Sequence, residues 1–224
     1  MRNESPEPEV KEPKSIVWLG SGSNSNWLPA VEVYGEGIFL EFNKETISNW
    51  LNNNNVNKRS NKYLKIYREW LESKGWENQT NTDAAYVLLH TFSHLLIKQL
   101  SNESGYSSAS IKERIYYSKD MAGILLYTGS TDQEGSLGGL VEMGDISKLR
   151  RLIVEAIEEA TFCSNDPDCS VQKPDNHNHL NGASCFACTM LPETSCETGN
   201  RLLDRSLVVD TLNNDLTPFF KGIL

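Results

Sequence analysis

The first 162 residues of this 224-residue chain contain no cysteine, and all five cysteines lie after that point. Cysteines used only for packing would be spread more evenly, so this distribution indicates a dedicated cysteine-rich segment. The odd number of cysteines, in a sequence without a recognisable secretory signal, disfavours a framework of disulfide bonds. A metal site formed by reduced thiols is the better interpretation.

Other features are missing as well. No run of 18 apolar residues occurs, so no transmembrane helix is predicted. Residues 1–14 are charged and rich in proline, which predicts a disordered lead-in and not a signal peptide. The formal net charge of −9 is unfavourable for a protein that grips nucleic acid alone. These features predict a cytoplasmic protein without membrane contact, which would reach DNA through a local basic patch or a partner.

The sequence also lacks the motifs of nucleotide and acyl chemistry. The glycine-rich run 135–139 has no Gly-Lys-Ser/Thr ending, so it does not form a phosphate-binding loop. No Gly-x-Ser-x-Gly elbow supports a catalytic triad. The sequence therefore predicts a protein that is not an enzyme in its own right.

Hydrophobic periodicity predicts an α+β fold, with a small mixed sheet, several helices and a C-terminal cysteine-rich zinc-binding module. The predicted strands are 16–19, 30–34, 37–42, 122–128 and one after a glycine-rich turn within 131–140. The predicted helices are 44–51, 60–74, 81–103 (capped by Thr82), 110–116, 145–161 and 198–212. The predicted domains are the lead-in 1–14, an α+β body 15–162, and a zinc-binding module with a C-terminal helix, 163–224.

The cysteine spacing predicts one structural zinc ion. Cys185 and Cys188 form a Cys-x2-Cys knuckle, and Cys163 and Cys169 flank a turn at Asp166-Pro167. With Cys196 there are five candidate thiolates for four tetrahedral positions. Cys196 fits the pattern least, and His177 or His179 could substitute for a cysteine. Four thiolates complete the coordination and leave no position for water, which favours a structural over a catalytic zinc.

Two further groups of residues are candidates for function. Basic side chains form either a solvated face or a surface for phosphate or a partner protein. They are Lys58, Arg59, Lys62, Lys65, Arg68, Arg150, Arg151, Arg201 and Arg205.

His90 and His94 lie one turn apart in an apolar helix, which predicts two buried histidines. A metal-dependent hydrolase or nuclease that uses these histidines with Glu103 or Glu113 is the alternative. However, Thr91 occupies the position where the zincin motif requires glutamate.

Six blocks of sequence carry a family resemblance: WLPAVEVYGEGIFLEF (27–42), LLHTFSHLLI (88–97), SGYSSASIKERIY (104–116), GSLGGLV (135–141), CSNDPDC (163–169) and CFACTMLPETSCETGNRLLDR (185–205). In content and order they resemble the C-terminal domain of DrmB proteins, which are subunits of the DISARM anti-phage defence systems. A related cysteine-bearing domain closes the MrfA-like DNA-repair helicases. DrmB-like proteins are considerably longer than this chain.

The resemblance implies zinc on the cysteines and an intracellular prokaryotic protein. It further implies a non-catalytic accessory subunit that works on foreign DNA beside a helicase-like, DrmA-type subunit of superfamily 2. Docking of that subunit and help in holding DNA are the expected roles. The resemblance supplies no catalytic residue.

Overall fold

The structure, which is a computed structural model, contains two 21-residue helices that pack against each other and a three-stranded antiparallel sheet that packs on one of them. It describes residues 32–76, 82–129, 138–175, 179–212 and 216–222. The elements are β1 (Gly37–Glu41), α1 (Lys44–Leu51), α2 (Asn54–Lys74), α3 (Ala84–Ser104), β2 (Ile111–Tyr117), β3 (Ala122–Thr128), α4 (Gly139–Met143) and α5 (Ile146–Ala160). The predicted α+β class is confirmed.

Helix α3 forms the centre of the core. Every residue from Ala84 to Ile97 is buried, as expected for a helix that is apolar nearly all round. Helices α2, α4 and α5 and strands β2 and β3 all contact it. The N-cap residue of the helix is Asp83 and not the predicted Thr82. The Asp83 carboxylate accepts hydrogen bonds from two backbone N–H groups of the first turn. The helix ends at Gly105, whose φ of 76° is left-handed.

Strand β3 is the middle strand of the sheet, between β1 and β2. Its register pairs Gly123 with Glu41 of β1 and with Tyr116 of β2. A Cβ at Gly123 would lie 2.6 Å from the Phe39 ring, so a larger residue at this position would force that half-exposed ring to move. Ile124 and Leu126 of β3 are buried against α3 and its neighbours. The sheet thus covers one side of the core helix.

The prediction of a helix at 110–116 is wrong, since these residues form strand β2. Ser110 and Glu113 have the spacing of a helix cap, but the local signal is overridden by pairing with β3. The strand alternates, so that Ile111 and Glu113 point inward and Arg114 points outward. Glu113 is 2% exposed in spite of its charge. The correction brings this carboxylate into the core.

Two further predictions of secondary structure are wrong. A strand was expected near the end of 131–140, but the described part of that region starts helix α4, where Glu36 accepts hydrogen bonds from three backbone N–H groups. The helix predicted at 198–212 is absent from the described residues there. Positive φ angles at Asn200 and Leu202 interrupt it, and only a 3-10 turn at Arg205–Leu207 follows. The strand expected at 16–19, the first two residues of 30–34 and the lead-in 1–14 lie outside the described residues. The described part of 30–34 contains only an isolated bridge at Tyr34.

The cysteine-rich segment packs directly on α3. Lys98 of α3 donates hydrogen bonds to the carbonyls of Ala187 and Cys188, at 3.0 and 2.7 Å. The domain boundary at residue 162 stays a prediction. Among the described residues, no helix is both long and apolar enough to cross a membrane.

Removing a core side chain from α3 tests its central position. Leu88 is 0% exposed, so Leu88→Ala is expected to lower the free energy of unfolding by about 2–5 kcal/mol. Ile146→Ala is the control, because Ile146 is 84% exposed and its loss is expected to cost less than about 0.5 kcal/mol. Urea unfolding followed by circular dichroism measures both. Equal effects of the two substitutions would contradict the assignment of α3 to the core.

Candidate metal centres

Four of the five cysteines converge and form the four-cysteine cluster: Cys163, Cys169, Cys185 and Cys188. Neighbouring sulfurs lie 3.5 Å (Cys163–Cys185), 3.6 Å (Cys169–Cys188) and 3.7 Å (Cys185–Cys188) apart. A tetrahedral zinc ion with bonds of about 2.3 Å places its sulfurs about 3.8 Å apart. Disulfide sulfurs would be about 2.05 Å apart, and all five cysteines are free thiols. The spacing therefore fits a single tetrahedral ion.

Local backbone structure aims these sulfurs at one point. The turn at Cys185 and Cys188 is closed by three N–H groups that donate to the Cys185 carbonyl. The Cys185 N–H donates to the Cys188 sulfur at 3.3 Å. Cys163 follows the end of α5, and its sulfur accepts the Asn165 N–H at 3.4 Å. Such N–H donors stabilise thiolates and orient them for a metal.

A buried ion pair braces the loop that carries Cys163 and Cys169. The Asp166 carboxylate accepts the N–H of Cys163 at 2.9 Å and that of Ser170 at 3.0 Å, and it pairs with Arg205. Burial raises the pKa of Asp166, but the Arg205 guanidinium and these donors outweigh it and hold the pKa below its usual value. Asp166 thus remains charged and keeps the loop in place.

The thiols of this cluster do not ionise independently. Hydrogen bonding with Cys169 lowers the pKa of the Cys188 thiol, whereas burial raises the pKa of Cys163. Four negative sulfurs this close repel one another unless a cation lies between them. A divalent metal removes this repulsion and displaces the remaining protons.

A second group converges elsewhere and forms the mixed cluster: His90, His94, Glu113 and Cys196. Their four ligand atoms lie within 4.8 Å of one another. The Nε2 atom of His90 is 2.9 Å from Oε1 of Glu113 and 3.2 Å from the Cys196 sulfur. The Nε2 atom of His94 is 3.3 Å from the same carboxylate oxygen. Two helical residues, one strand residue and one loop residue therefore meet in the core.

The charges of the mixed cluster depend on one another. Burial lowers the pKa of His90, but the Glu113 carboxylate outweighs it and raises the pKa to about 10. Burial raises the pKa of Glu113, yet the two imidazoles hold it well below its usual value. Burial likewise opposes the Cys196 thiolate, but hydrogen bonding with His90 lowers the pKa to about 6. The carboxylate and the thiolate thus raise the pKa of both imidazoles, whose protons balance these negative charges when no metal is bound.

The structure separates Cys196, the candidate that fitted the cysteine spacing least, from the four other cysteines. Sequence reasoning grouped His90 and His94 with Glu103 or Glu113 in the hydrolase alternative, but it did not connect Cys196 with them. Glu113 had also been assigned to a helix cap and not to a strand. His179 is exposed and hydrogen-bonded to the Lys173 carbonyl, away from both clusters, and His177 lies outside the described residues.

The hydrolase alternative required His90 and His94 to reach solvent. Both side chains are 0% exposed, and Glu113 is nearly as deeply buried. Glu103, the other acid proposed for that site, is exposed and forms an ion pair with Arg151. The described surroundings of the histidine pair therefore do not favour a hydrolytic site.

Seven of the nine basic residues predicted to form a surface are exposed. Lys58, Lys62, Lys65 and Arg68 are exposed on α2, as are Arg150, Arg151 and Arg201 elsewhere. Arg151 also pairs with Glu155, and the Arg201 guanidinium lies 5.0 Å from the centre of the Trp70 ring.

Two members of the predicted basic surface are corrected. Arg59 is buried and pairs with Asp204 at 2.9 Å, and Arg205 is 0% exposed and pairs with Asp166. An isolated charge in the interior is costly, so each arginine is held there by a carboxylate from a distant segment. Arg205 is therefore not part of the surface, whereas Arg59, although mostly buried, still lines a cleft beside Lys58 and Lys62.

A comparison of the sequence with known protein families supports zinc binding at the four-cysteine cluster. The family model of the MrfA Zn-binding domain matches residues 92–189, which begin within α3 and contain all four of these cysteines. The chain is 67% identical over 225 aligned residues to the DISARM protein DrmB of Bacillus paralicheniformis. The resemblance to DrmB is confirmed. This DrmB match covers 100% of the chain but 40% of the relative, so the chain spans two fifths of that protein's length.

The burial of Arg59 predicts a large stability effect. Arg59→Ala leaves Asp204 without its ion-pair partner and is expected to lower the free energy of unfolding by about 3–5 kcal/mol. Lys62→Ala, one turn away on the exposed side of α2, is the control and is expected to change it by less than about 0.5 kcal/mol. Chemical denaturation of both variants checks this. A neutral Arg59→Ala would contradict the buried pair.

Proposed function

We propose that this chain is the zinc-binding, non-catalytic part of a DrmB-like subunit in a DISARM-type anti-phage defence complex. The identity of 67% to a DISARM protein DrmB over the whole chain supports the assignment to such a system. The single observation that carries the role of the site is the tetrahedral spacing of four cysteine sulfurs. Cytoplasmic localisation belongs to the proposal, because thiols stay reduced there.

Zinc in the four-cysteine cluster would be structural. The ion would tie the loop after α5 to the Cys185–Cys188 turn, two segments that share little apolar surface of their own. The buried hydrophobic group at this cluster consists of the cysteines themselves. Structural zinc contributes on the order of 10 kcal/mol of apparent folding free energy in small zinc-binding peptides. Four thiolates fill the coordination sphere, and this supports a scaffold over a hydrolytic role.

Contact with DNA and with a helicase-like, DrmA-type subunit is the second part of the proposal. A surface cleft of about 410 Å³ is lined by Lys58, Lys62 and Lys173, together with polar residues at the start of α2. Lysines around a groove form a suitable site for a phosphate backbone. Because the whole chain carries a net charge of −9, such a patch would act together with the partner's surface.

Zinc content tests the proposed role of the four-cysteine cluster. Protein purified without added metal is expected to contain zinc, and Cys185→Ser is expected to lose about one zinc per chain, because only three thiolates remain. The variant is also expected to melt at a lower temperature. Mass spectrometry of the metal content and a thermal melt measure these changes. Ser164→Ala, an exposed neighbour of Cys163, is the control that should keep all the zinc. Zinc retained in full by Cys185→Ser contradicts the proposal.

Charge reversal tests the lysine cleft. The double substitution Lys58→Glu and Lys62→Glu is expected to weaken DNA binding by the complex of this chain with its helicase-like partner. The slope of log K against log salt should fall by about 2 if each lysine contacts one phosphate. Fluorescence anisotropy over a salt series measures both quantities.

The matched control is Lys44→Glu with Lys119→Glu, an equal charge change at exposed positions near the β2–β3 turn. The same loss of DNA affinity in both double variants would mean that net charge, and not the lysine cleft, causes the effect. A chain that does not co-elute with the helicase-like subunit, or leaves its DNA affinity unchanged, contradicts the partner proposal.

A further inference from the structure

The mixed cluster has the composition of a second metal site, distinct from the four-cysteine cluster. It contains two imidazoles, one carboxylate and one thiolate, a donor set that Zn²⁺ accepts in tetrahedral geometry. We propose that the mixed cluster binds a second Zn²⁺ ion as a closed structural site. This inference does not depend on the proposed function. The residues matched by the MrfA Zn-binding family, 92–189, include neither His90 nor Cys196.

Hydrogen bonds on the outer side of the histidines fix their tautomers. The Nδ1 atom of His90 is 3.1 Å from the Leu202 carbonyl, and that of His94 is 2.9 Å from the Thr189 carbonyl. A carbonyl oxygen can only accept, so both Nδ1 atoms carry hydrogen and donate. Each Nε2 atom is then the free ligand position, and both face the centre of the cluster. Metal-binding histidines show this arrangement, with the second nitrogen anchored to a carbonyl.

Four ligand atoms face one another at the centre of the cluster. Because both Nδ1 atoms are committed to carbonyls, the two Nε2 atoms face the Glu113 oxygen and the Cys196 sulfur, and the ring centres lie 4.6 Å apart. Without an ion, these contacts need protons, either on the Nε2 atoms or on the carboxyl and thiol groups. One divalent cation takes the place of two such protons. Two neutral imidazoles, one carboxylate, one thiolate and Zn²⁺ sum to zero charge in a fully buried site.

Distances within the cluster agree with a contracted tetrahedron. Zinc bonds of about 2.0–2.3 Å place nitrogen, oxygen and sulfur ligands about 3.2–3.8 Å apart. The measured separations from His90 and His94 are 2.9, 3.2 and 3.3 Å. A shift of a few tenths of an ångström would admit the ion.

The residues around the cluster hold its anionic ligands in position. The Ser93 hydroxyl contacts the second oxygen of Glu113, which leaves the first oxygen facing the histidines. The Asn200 N–H donates to the Cys196 sulfur at 3.2 Å, and the Thr198 hydroxyl lies 3.5 Å from it. Leu202, whose carbonyl accepts from His90, has a φ of 63°, a conformation that non-glycine residues rarely adopt. Such an array of supporting contacts is typical of a built metal site.

All four ligands of the mixed cluster are buried, and they come from α3, β2 and the loop near residue 196. The ion would therefore be shielded from substrate and would join three separate segments of the chain. Its role would be to fasten the sheet and the cysteine-rich tail to the core helix.

Metal stoichiometry tests this inference. The whole 224-residue chain, purified without added metal, is expected to contain about two zinc ions, one for each closed tetrahedral site. Cys196→Ser and Glu113→Gln are each expected to contain about one. His179→Ala is the control, since His179 is exposed and lies outside both clusters, and it should keep both ions. Mass spectrometry against amino-acid analysis gives the count.

Cadmium-113 NMR of the wild-type chain reconstituted with ¹¹³Cd²⁺ gives a second readout that needs no variant to fold. Two resonances are expected, one far downfield for four sulfurs and one upfield for two nitrogens, one oxygen and one sulfur. Cys196→Ser should remove only the upfield resonance, and Cys185→Ser only the downfield one.

The outcomes separate the two sites. One zinc per wild-type chain with a single downfield resonance overturns the second site, whatever the variants do. An upfield resonance without a downfield one would support the second site and count against zinc in the four-cysteine cluster.

Discussion

The burial of α3 on every side is the constraint on which the rest of the structure depends. A helix enclosed in this way must satisfy each of its polar side chains inside the protein, because water cannot reach them. Its histidines lie opposite residues of β2 and of the C-terminal segment, so these elements are fixed by polar contacts as well as by apolar packing. The cysteine-rich segment thus packs on the core helix and encloses part of it.

Two clusters of side chains that could each hold a metal ion lie around α3, and they differ in what they bring together. In our proposal, zinc in the four-cysteine cluster would order irregular loops whose own apolar surface is small. The mixed cluster consists of ionisable side chains that are buried at α3. In both clusters backbone groups supply several of the outer hydrogen bonds, so the local fold of the chain helps to position the ligands.

The sequence predicts whatever depends on neighbouring residues. The apolar run of α3 and the Cys185–Cys188 knuckle were both recognised, because their signals lie within a few positions. Glu113 was misassigned, since its strand exists only through pairing with β3. Arg59 was taken for a surface charge, because its partner Asp204 lies 145 positions away and no local pattern announces it. Cys196 was not connected with His90, His94 and Glu113 for the same reason, because it lies more than 80 positions away from them in the sequence.

Asp204 and Arg205 are neighbours in the sequence, yet their side chains contact different parts of the molecule. Asp204 accepts hydrogen bonds from Arg59 and Tyr63 of α2, and Arg205 reaches the loop of the four-cysteine cluster through Asp166. Helix α2 is thereby prevented from rolling about its own axis. The direction in which the outer lysines of α2 project is therefore linked, through Asp204, Arg205 and Asp166, to the loop that carries Cys163 and Cys169, so a change in that loop would be transmitted to the positive charge that α2 presents.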